Sequence, residues 1–336
     1  MSKAFKHSSQ VKGEFDFNVD LEEVASIIEA AFVSDAPLLS EISNYLYNLG
    51  GKRIRPTFCY LIAELLGGKA DQRKLAEVAA GIELIHMATL LHDDIVDNAS
   101  LRRGKTAPPV RYGIGNAIIT GDFLLTRAFS LCAKLDDFII DSTEEACVGL
   151  TEGEIMETPL YEKRHTLDEA LLIADKKTAS LFWLAARAAA HLSEVDGKTL
   201  VHLSAAGRAL GIAFQILDDI LDVIADQKTL GKEIGSDIRD RKPSILNILW
   251  LDRGTPLSLR LLQTPAEDNE LYLAQSIAEL KGECQSVIAE AKDLARGYAR
   301  KSNEYLLEAT VGLECCDQVA LAKIQGLIDF TLSRLS

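Results

Sequence analysis

From about residue 19 onward, apolar residues recur every three or four positions with little interruption, the period of a helix that buries one face. "LEEVASIIEAAF", "KLAEVAAGIELIHMATLL", "DEALLIADKKTASLFWLAARAAAHL" and "TLVHLSAAGRALGIAFQILDDILDVI" carry the pattern. Several of these are apolar on more than one side, which predicts deep burial. No stretch shows the alternation of a half-exposed strand. Short clusters such as "NLGGKRIRP", "RRGKTAPPVRYGIGN" and "EVDGKT" punctuate the segments. The predicted fold class is all-α. Residues 1–18 are polar and aperiodic and read as a flexible N-terminal arm. No Pro- or Ser-rich linker divides the remainder, so 19–336 read as one domain, with helices beyond about 255 forming a peripheral cover.

Composition narrows the partners. The net charge of −14 argues against nucleic acid, whose phosphates need a basic face. Any anionic ligand must then be held by a local cluster of Lys and Arg or by metal ions. The six cysteines show no metal-ligand or redox spacing and read as buried free thiols of a reducing compartment. The N-terminus has no apolar core of the secretory type, and no run of 18 uncharged apolar residues occurs, so a cytoplasmic protein with no transmembrane segment is expected.

Against this background "LLHDDIVDNASLRRG" stands out. On a helix Asp93 and Asp97 share a face, with Asp94 one step round. Three carboxylates so close repel one another unless a cation neutralises them, and carboxylate oxygen suits Mg²⁺, which fills its remaining positions with water and substrate phosphate. "QILDDILD" repeats the spacing at Asp218, Asp219 and Asp222. Two such clusters facing each other across a helical bundle could clamp a polyanion through several metal ions. Basic residues lie in the same stretches: Arg102 and Arg103 after the first motif, Lys52, Arg53 and Arg55 in "GGKRIRP", then Lys177, Lys232 and Lys242. They suggest two anion sites, one bridged by metal and one held by Lys and Arg alone. His92, just before Asp93, reads as a hydrogen-bonded support.

The motifs "GGKRIRP", "HMATLLHDDIVDNASLRRG", "GDFLLTRA", "EGEIME", "KKTASLF", "FQILDDILD" and "LGKEIGSDIRDRKPS" closely resemble, in order from about residue 49 to 245, those of the trans-isoprenyl diphosphate synthases. The resemblance implies an isoprenoid-synthase helical bundle around a central cavity, homodimeric, joining an allylic diphosphate to isopentenyl diphosphate head-to-tail with loss of pyrophosphate. It also implies roles. Asp93, Asp97, Asp218 and Asp222 belong to the metal set, with Asp94 and Asp219 in support and about three Mg²⁺ bound with substrate. Arg102, Lys177 and Lys232 would grip the allylic diphosphate; Lys52, Arg55, His86 and Arg103 would hold isopentenyl diphosphate. Thr178 and Gln215 would line the reacting carbons, and Lys242 would close over the diphosphate. Two departures are visible: Arg241 stands where many members have Gly, and "SILNIL" lacks a proline often found there.

Helix geometry supplies a ruler. At about 1.5 Å per residue, Ala88 and Thr89 lie one turn or more below Asp93, with Ala88 roughly 7.5 Å deeper. In the family a bulky aromatic here stops the chain early, so Ala88 implies an open tunnel and a medium- or long-chain product, such as octaprenyl diphosphate for a quinone side chain. Phe129 is the expected floor. The alternatives are a short-chain farnesyl or geranylgeranyl synthase, a class I terpene cyclase, disfavoured by the paired motifs, and a non-catalytic partner subunit, disfavoured by their completeness.

Overall fold

The computed structural model describes residue 17 and residues 19–225, 234–265, 269–313 and 316–333. Lys232 and Cys315 lie outside the described residues, as does the expected arm, except at its edge. There Phe17 is already buried, its ring edge-on to Phe330 at 6.1 Å, so the packed chain begins at least two residues earlier than expected.

The described chain is helical almost throughout. Helices α1 (Glu22–Ala31), α2 (Pro37–Asn48), α3 (Ile54–Leu65) and α4 (Gln72–Val96) come first. A hairpin of two-residue strands, β1 (Leu101–Arg102) and β2 (Lys105–Thr106), follows. Arg103 and Gly104 at its tip both take positive φ, as a two-residue type I′ turn requires. Helices α5 (Pro108–Tyr112), α6 (Ile114–Cys132), α7 (Asp137–Met156) and α8 (Leu167–Ala174) lead to a π-helical turn, Asp175–Ala179, then α9 (Ser180–Leu192) and α10 (Gly197–Ile224). Short helices α11 (Ser236–Arg239) and α12 (Ile245–Leu251) precede a 3₁₀ turn, Ser258–Leu262, and helices α13 (Asn269–Lys281), α14 (Gln285–Thr310) and α15 (Gln318–Ser333).

Local chemistry sets the helix starts. Asp71, Asp136, Asp196 and Thr166 accept backbone N–H bonds at the beginnings of α4, α7, α10 and α8, where those donors have no helical partner. At α8 the cap is reciprocal, Glu169 reaching back to Thr166 N.

Packing runs through α10. Leu203, Ala206, Leu210 and Ala213 join the larger core with α3, α4 and α9, while Ile216, Leu217, Ile220 and Val223 join a second core with α12 and α13. The expectation of purely peripheral helices past residue 255 is corrected for α14, which packs along α10 more extensively than any other helix pair. Its Ala291, Ala295 and Ala299 are buried, and Ser302 Oγ donates to Ala206 O at 2.8 Å. Small residues let the two backbones approach, a signal that no catalytic motif marks.

Helices α4 and α10 are long and apolar enough to cross a membrane by length and composition alone, at mean hydropathies of 1.3 and 1.4. Most of each apolar window is covered by neighbouring helices, 72% and 61% respectively, as in a core helix. The charges that keep either from reading as an uncharged run are Glu83 with Asp93 in α4 and Arg208 with Asp218 in α10. Among the described cysteines all are free, with Cys59, Cys132 and Cys284 buried.

Candidate active site

Both aspartate motifs sit on the last turns of long core helices. Asp93 and Asp94 are in the final turn of α4, and Asp97 is its C-cap, with Asp97 N donating to Asp93 O at 2.8 Å. Asp218, Asp219 and Asp222 occupy the last two turns of α10. Carboxylates at helix C-termini oppose the helix dipole, so local packing and countercharge must hold them there.

That countercharge is visible. Lys177, on the π-helical turn, places Nζ 2.7 Å from both Glu154 Oε2 and Glu157 Oε2 at the C-terminal end of α7. Lys242 reaches across from the segment before α12, with Nζ 2.6 Å from Asp97 Oδ1 and 3.6 Å from Glu157 Oε2. Burial alone would lower both lysine pKa values. Glu157 with Asp93 and Glu154 outweighs it at Lys177, and Glu157 with Asp97 and Asp237 does so at Lys242, so both are raised and both ammonium groups stay charged. Burial lifts Asp93 to about 7 despite Lys177, with Glu154 and Asp97 adding to the rise. The first motif, the end of α7, the π-turn and the Lys242 segment thus form one charged cluster.

The second motif divides its labour. Asp219 is buried and bonded on both oxygens, accepting from Gln215 Nε2 at 2.8 Å and from Ile245 N, the first residue of α12, at 2.8 Å. Its pKa is pushed up to about 7 by burial, against those two bonds. Gln215 Oε1 in turn accepts from Thr178 Oγ1, so Thr178, Gln215 and Asp219 form one chain. Asp222, expected in the metal set, accepts from Ser236 Oγ at 2.8 Å and from Asp237 N at 3.1 Å, supplying an acceptor for an N–H at the start of α11. Asp218 stays half-buried, close enough to Arg55 to support its charge.

Asp94 is likewise buried, and its Oδ1 accepts from Arg102 Nε at 2.8 Å and from Nη2. Arg102 is therefore engaged within its own motif. Asp94 Oδ2 is buried with no hydrogen-bond partner.

A second, basic corner forms around His86, about two turns before Asp93 on α4. Burial and the guanidinium groups of Arg55, Arg103, Arg102 and Arg53 hold its pKa well below the ordinary histidine value, so it is neutral at pH 7. Arg53 is committed elsewhere, ion-paired to buried Glu83 and stacked on Tyr47. Arg55 lies over Phe182 with its buried Nε lacking a partner. Arg103 packs against Gly51, where an added Cβ would come within 2.9 Å of Nη1. Lys52 Nζ sits 4.7 Å from the Phe330 ring centroid. Arg53 and Arg55 from one motif thus converge with His86, Arg102 and Arg103 from another.

Of the residues expected to set chain length, Ala88 is wholly buried in the larger core. Thr89 is half-buried and donates to His86 O at 2.8 Å. Phe129 on α6 is half-buried as well. His92 keeps its supporting position, Nε2 lying 3.3 Å from Ile118 O.

The residues missed by sequence reasoning are Glu154 and Glu157. "EGEIME" was part of the resemblance without a role for either. Their i, i+3 spacing, which puts both on one helix face, was the available signal. Among the described residues no group of three His, Cys, Asp or Glu side chains closes around a point as a metal cage would. The donor chemistry nevertheless suits Mg²⁺: hard oxygens, half-buried, with an acid pushed to about 7 by burial and by the neighbouring carboxylates Glu154 and Asp97. Mg²⁺ takes only one or two protein carboxylates and completes its shell with water and phosphate, so it does not require such a cage.

A family model described as polyprenyl synthetase matches residues 36–279. The octaprenyl diphosphate synthase of Escherichia coli is 33% identical over 271 residues, covering 80% of this chain and 83% of that one. The geranylgeranyl diphosphate synthase of Methanosarcina mazei is 32% identical, covering 92% and 94%. The crystal structure of a polyprenyl synthase from Caulobacter crescentus superposes with a TM-score of 0.82 at 30% identity, covering 93% and 94%. With the family model spanning most of the length and the fold shared over 93% of the chain, this chain belongs to the polyprenyl synthetase family of prenyltransferases.

Proposed function

We propose that this prenyltransferase extends an allylic diphosphate with isopentenyl diphosphate, head-to-tail and in trans, to a medium- or long-chain product of the octaprenyl kind. The observation that carries the reading is the cluster joining the ends of α4 and α7 through Lys177 and Lys242, with Asp219 of α10 near enough to Glu157 to feel its charge. Asp93, Asp97 and Asp218 would hold Mg²⁺, whose chemistry is to stabilise the charge that gathers on pyrophosphate as the allylic C–O bond breaks. The Caulobacter crescentus enzyme's complex with calcium and isoprenyl diphosphate supports divalent-metal use. Lys177 and Lys242 take the remaining diphosphate charge, with Arg102 and Lys232 as further grips. Arg55, Arg103, Lys52 and neutral His86 hold isopentenyl diphosphate, the unpartnered Arg55 Nε being a ready donor. Thr178 and Gln215 line the carbocation's side, and apolar walls keep water from it. The alkene attacks the allylic carbon, and the proton it loses goes to the departing pyrophosphate.

The small side chain at Ala88 supports a long product, as does similarity to an octaprenyl diphosphate synthase. A homodimer is supported by apolar side chains left exposed on α6 and α7, among them Ile119 at 58% and Ile155 at 78%. We place the enzyme in the cytoplasm on its composition.

The test is to incubate the purified chain alone with isopentenyl diphosphate, Mg²⁺ and each allylic primer, then size the dephosphorylated products. Products beyond C20 are expected; products ending at C15 or C20 would favour the short-chain reading, which similarity to a geranylgeranyl diphosphate synthase supports. Asp218→Ala should lower kcat by about a hundredfold or more, the scale of losing one group that stabilises developing charge. Unchanged turnover would refute its metal role.

A further inference from the structure

Arg241 is the residue before Lys242, and its environment is unusual. It adopts φ +58°, a left-handed conformation that side chains other than glycine seldom take. Its side chain is 1% exposed. The guanidinium is spread over three separate pieces of chain. Nη1 donates to Ile238 O at 2.6 Å, Nε donates to Gln263 O at 3.3 Å, and Nη2 donates to Asn269 Oδ1 at 3.2 Å. Its flat face lies 4.3 Å from the centroid of buried Tyr272. Arg241 O accepts from Leu160 N at 2.8 Å, which ties the same residue to the chain after α7.

Strained backbone and a buried charge persist only where the surroundings over-determine them. Here the reversal of chain direction at Arg241 sends consecutive side chains to opposite sides. Arg241 points into α13 and the 3₁₀ turn, and Lys242 points at Asp97 and Glu157. The flanking ends are pinned by the second motif, Asp222 on α11 and Asp219 on α12. Between those pins, the guanidinium reaches outward to Asn269 at the start of α13, whose Nδ2 also donates to Arg239 O at 3.4 Å.

We propose that Arg241 is a positioning residue for Lys242, tying its segment to α13 so that the ammonium is held over the first aspartate motif. Helices remote from the chemistry thereby set the grip on the diphosphate. The inference rests on the reading of Lys242 as a diphosphate ligand, and the experiment separates the two.

Steady-state condensation is measured for the full chain with farnesyl diphosphate, isopentenyl diphosphate and Mg²⁺. Arg241→Gly accepts the left-handed backbone without strain but removes every guanidinium contact. It should raise KM for farnesyl diphosphate about tenfold, with KM for isopentenyl diphosphate changed by less than about twofold. A role in packing alone would lower the melting temperature and the active fraction without that split. In a Lys242→Ala background the same substitution should add less than about twofold. If Lys242→Ala leaves KM for farnesyl diphosphate unchanged, the reading of Lys242 fails and the inference with it. If Lys242→Ala raises it but Arg241→Gly does not, or if the Arg241→Gly effect survives undiminished in the double variant, the tether alone is overturned. Should Arg241→Gly fail to fold, Asn269→Ala, which removes the Nη2 acceptor together with a 3.4 Å bond to Arg239 O, must raise the same KM; no rise overturns the tether.

Discussion

Replacing Gly211 with alanine tests whether the contact between α10 and the π-helical turn sets both stability and chemistry. A Cβ built there would lie 2.4 Å from Ala179 Cα and 2.7 Å from Ala179 Cβ. Ordinary contact begins near 3.4 Å, so helix and turn must part by about 1 Å. The obstructing atom is backbone and cannot rotate away. Overpacking of this kind costs about 1–3 kcal/mol, against which alanine's helix propensity returns at most about 1 kcal/mol. Thr178 is next to Ala179, and its bond to Gln215, one turn beyond Gly211, spans the same gap. A displacement of that size at a positioning contact costs about a hundredfold in rate. The assay is urea denaturation together with kcat. Gly197→Ala, at the start of the same helix with nothing within 4 Å, serves as the control and should be neutral or slightly stabilising. If Gly211→Ala matches that control in both stability and kcat, the close approach does not position the site.

Ala88→Phe should shorten the product if a tunnel runs past it. If the position is only packed core, the added volume should instead destabilise by about 1–3 kcal/mol with no change in product length, so product sizing and a melting curve together decide. Glu169, at the start of α8, has its pKa lowered from 4.5 to about 2 by the Thr166 N–H and the Lys163 ammonium. A depressed carboxylate stabilises the fold above its unfolded pKa and ceases to do so as pH falls through the folded one. The stability difference between the parent and Glu169→Gln should therefore hold at pH 6 and shrink between pH 4.5 and about 2. A difference that persists unchanged at pH 2 would show that the carboxylate's charge is not what matters.

Much of the site was legible because its parts are local. Asp93 and Asp97, or Asp218 and Asp222, share a face by helix geometry alone. "GGKRIRP" and the paired arginines announce themselves in an acidic chain. Glu154 and Glu157 were harder to assign, since two glutamates three apart on a helix are ordinary until Lys177 and Lys242 arrive from other segments to meet them. The family glycine replaced by Arg241 was noticed as a departure; the left-handed backbone there accounts for the glycine, and the buried contacts account for the arginine.

Helix periodicity, the all-α class, the paired acid motifs and the supply of basic groups follow from the sequence alone, because each depends on residues within a few turns of one another. Which backbone and side-chain donors each carboxylate meets was decided only by the tertiary structure. Asp222 and Asp219 have the same spacing as their counterparts on α4, yet they turn to cap α11 and α12. The unsatisfied N–H groups of those short helices are brought to them by a chain reversal that no local pattern specifies.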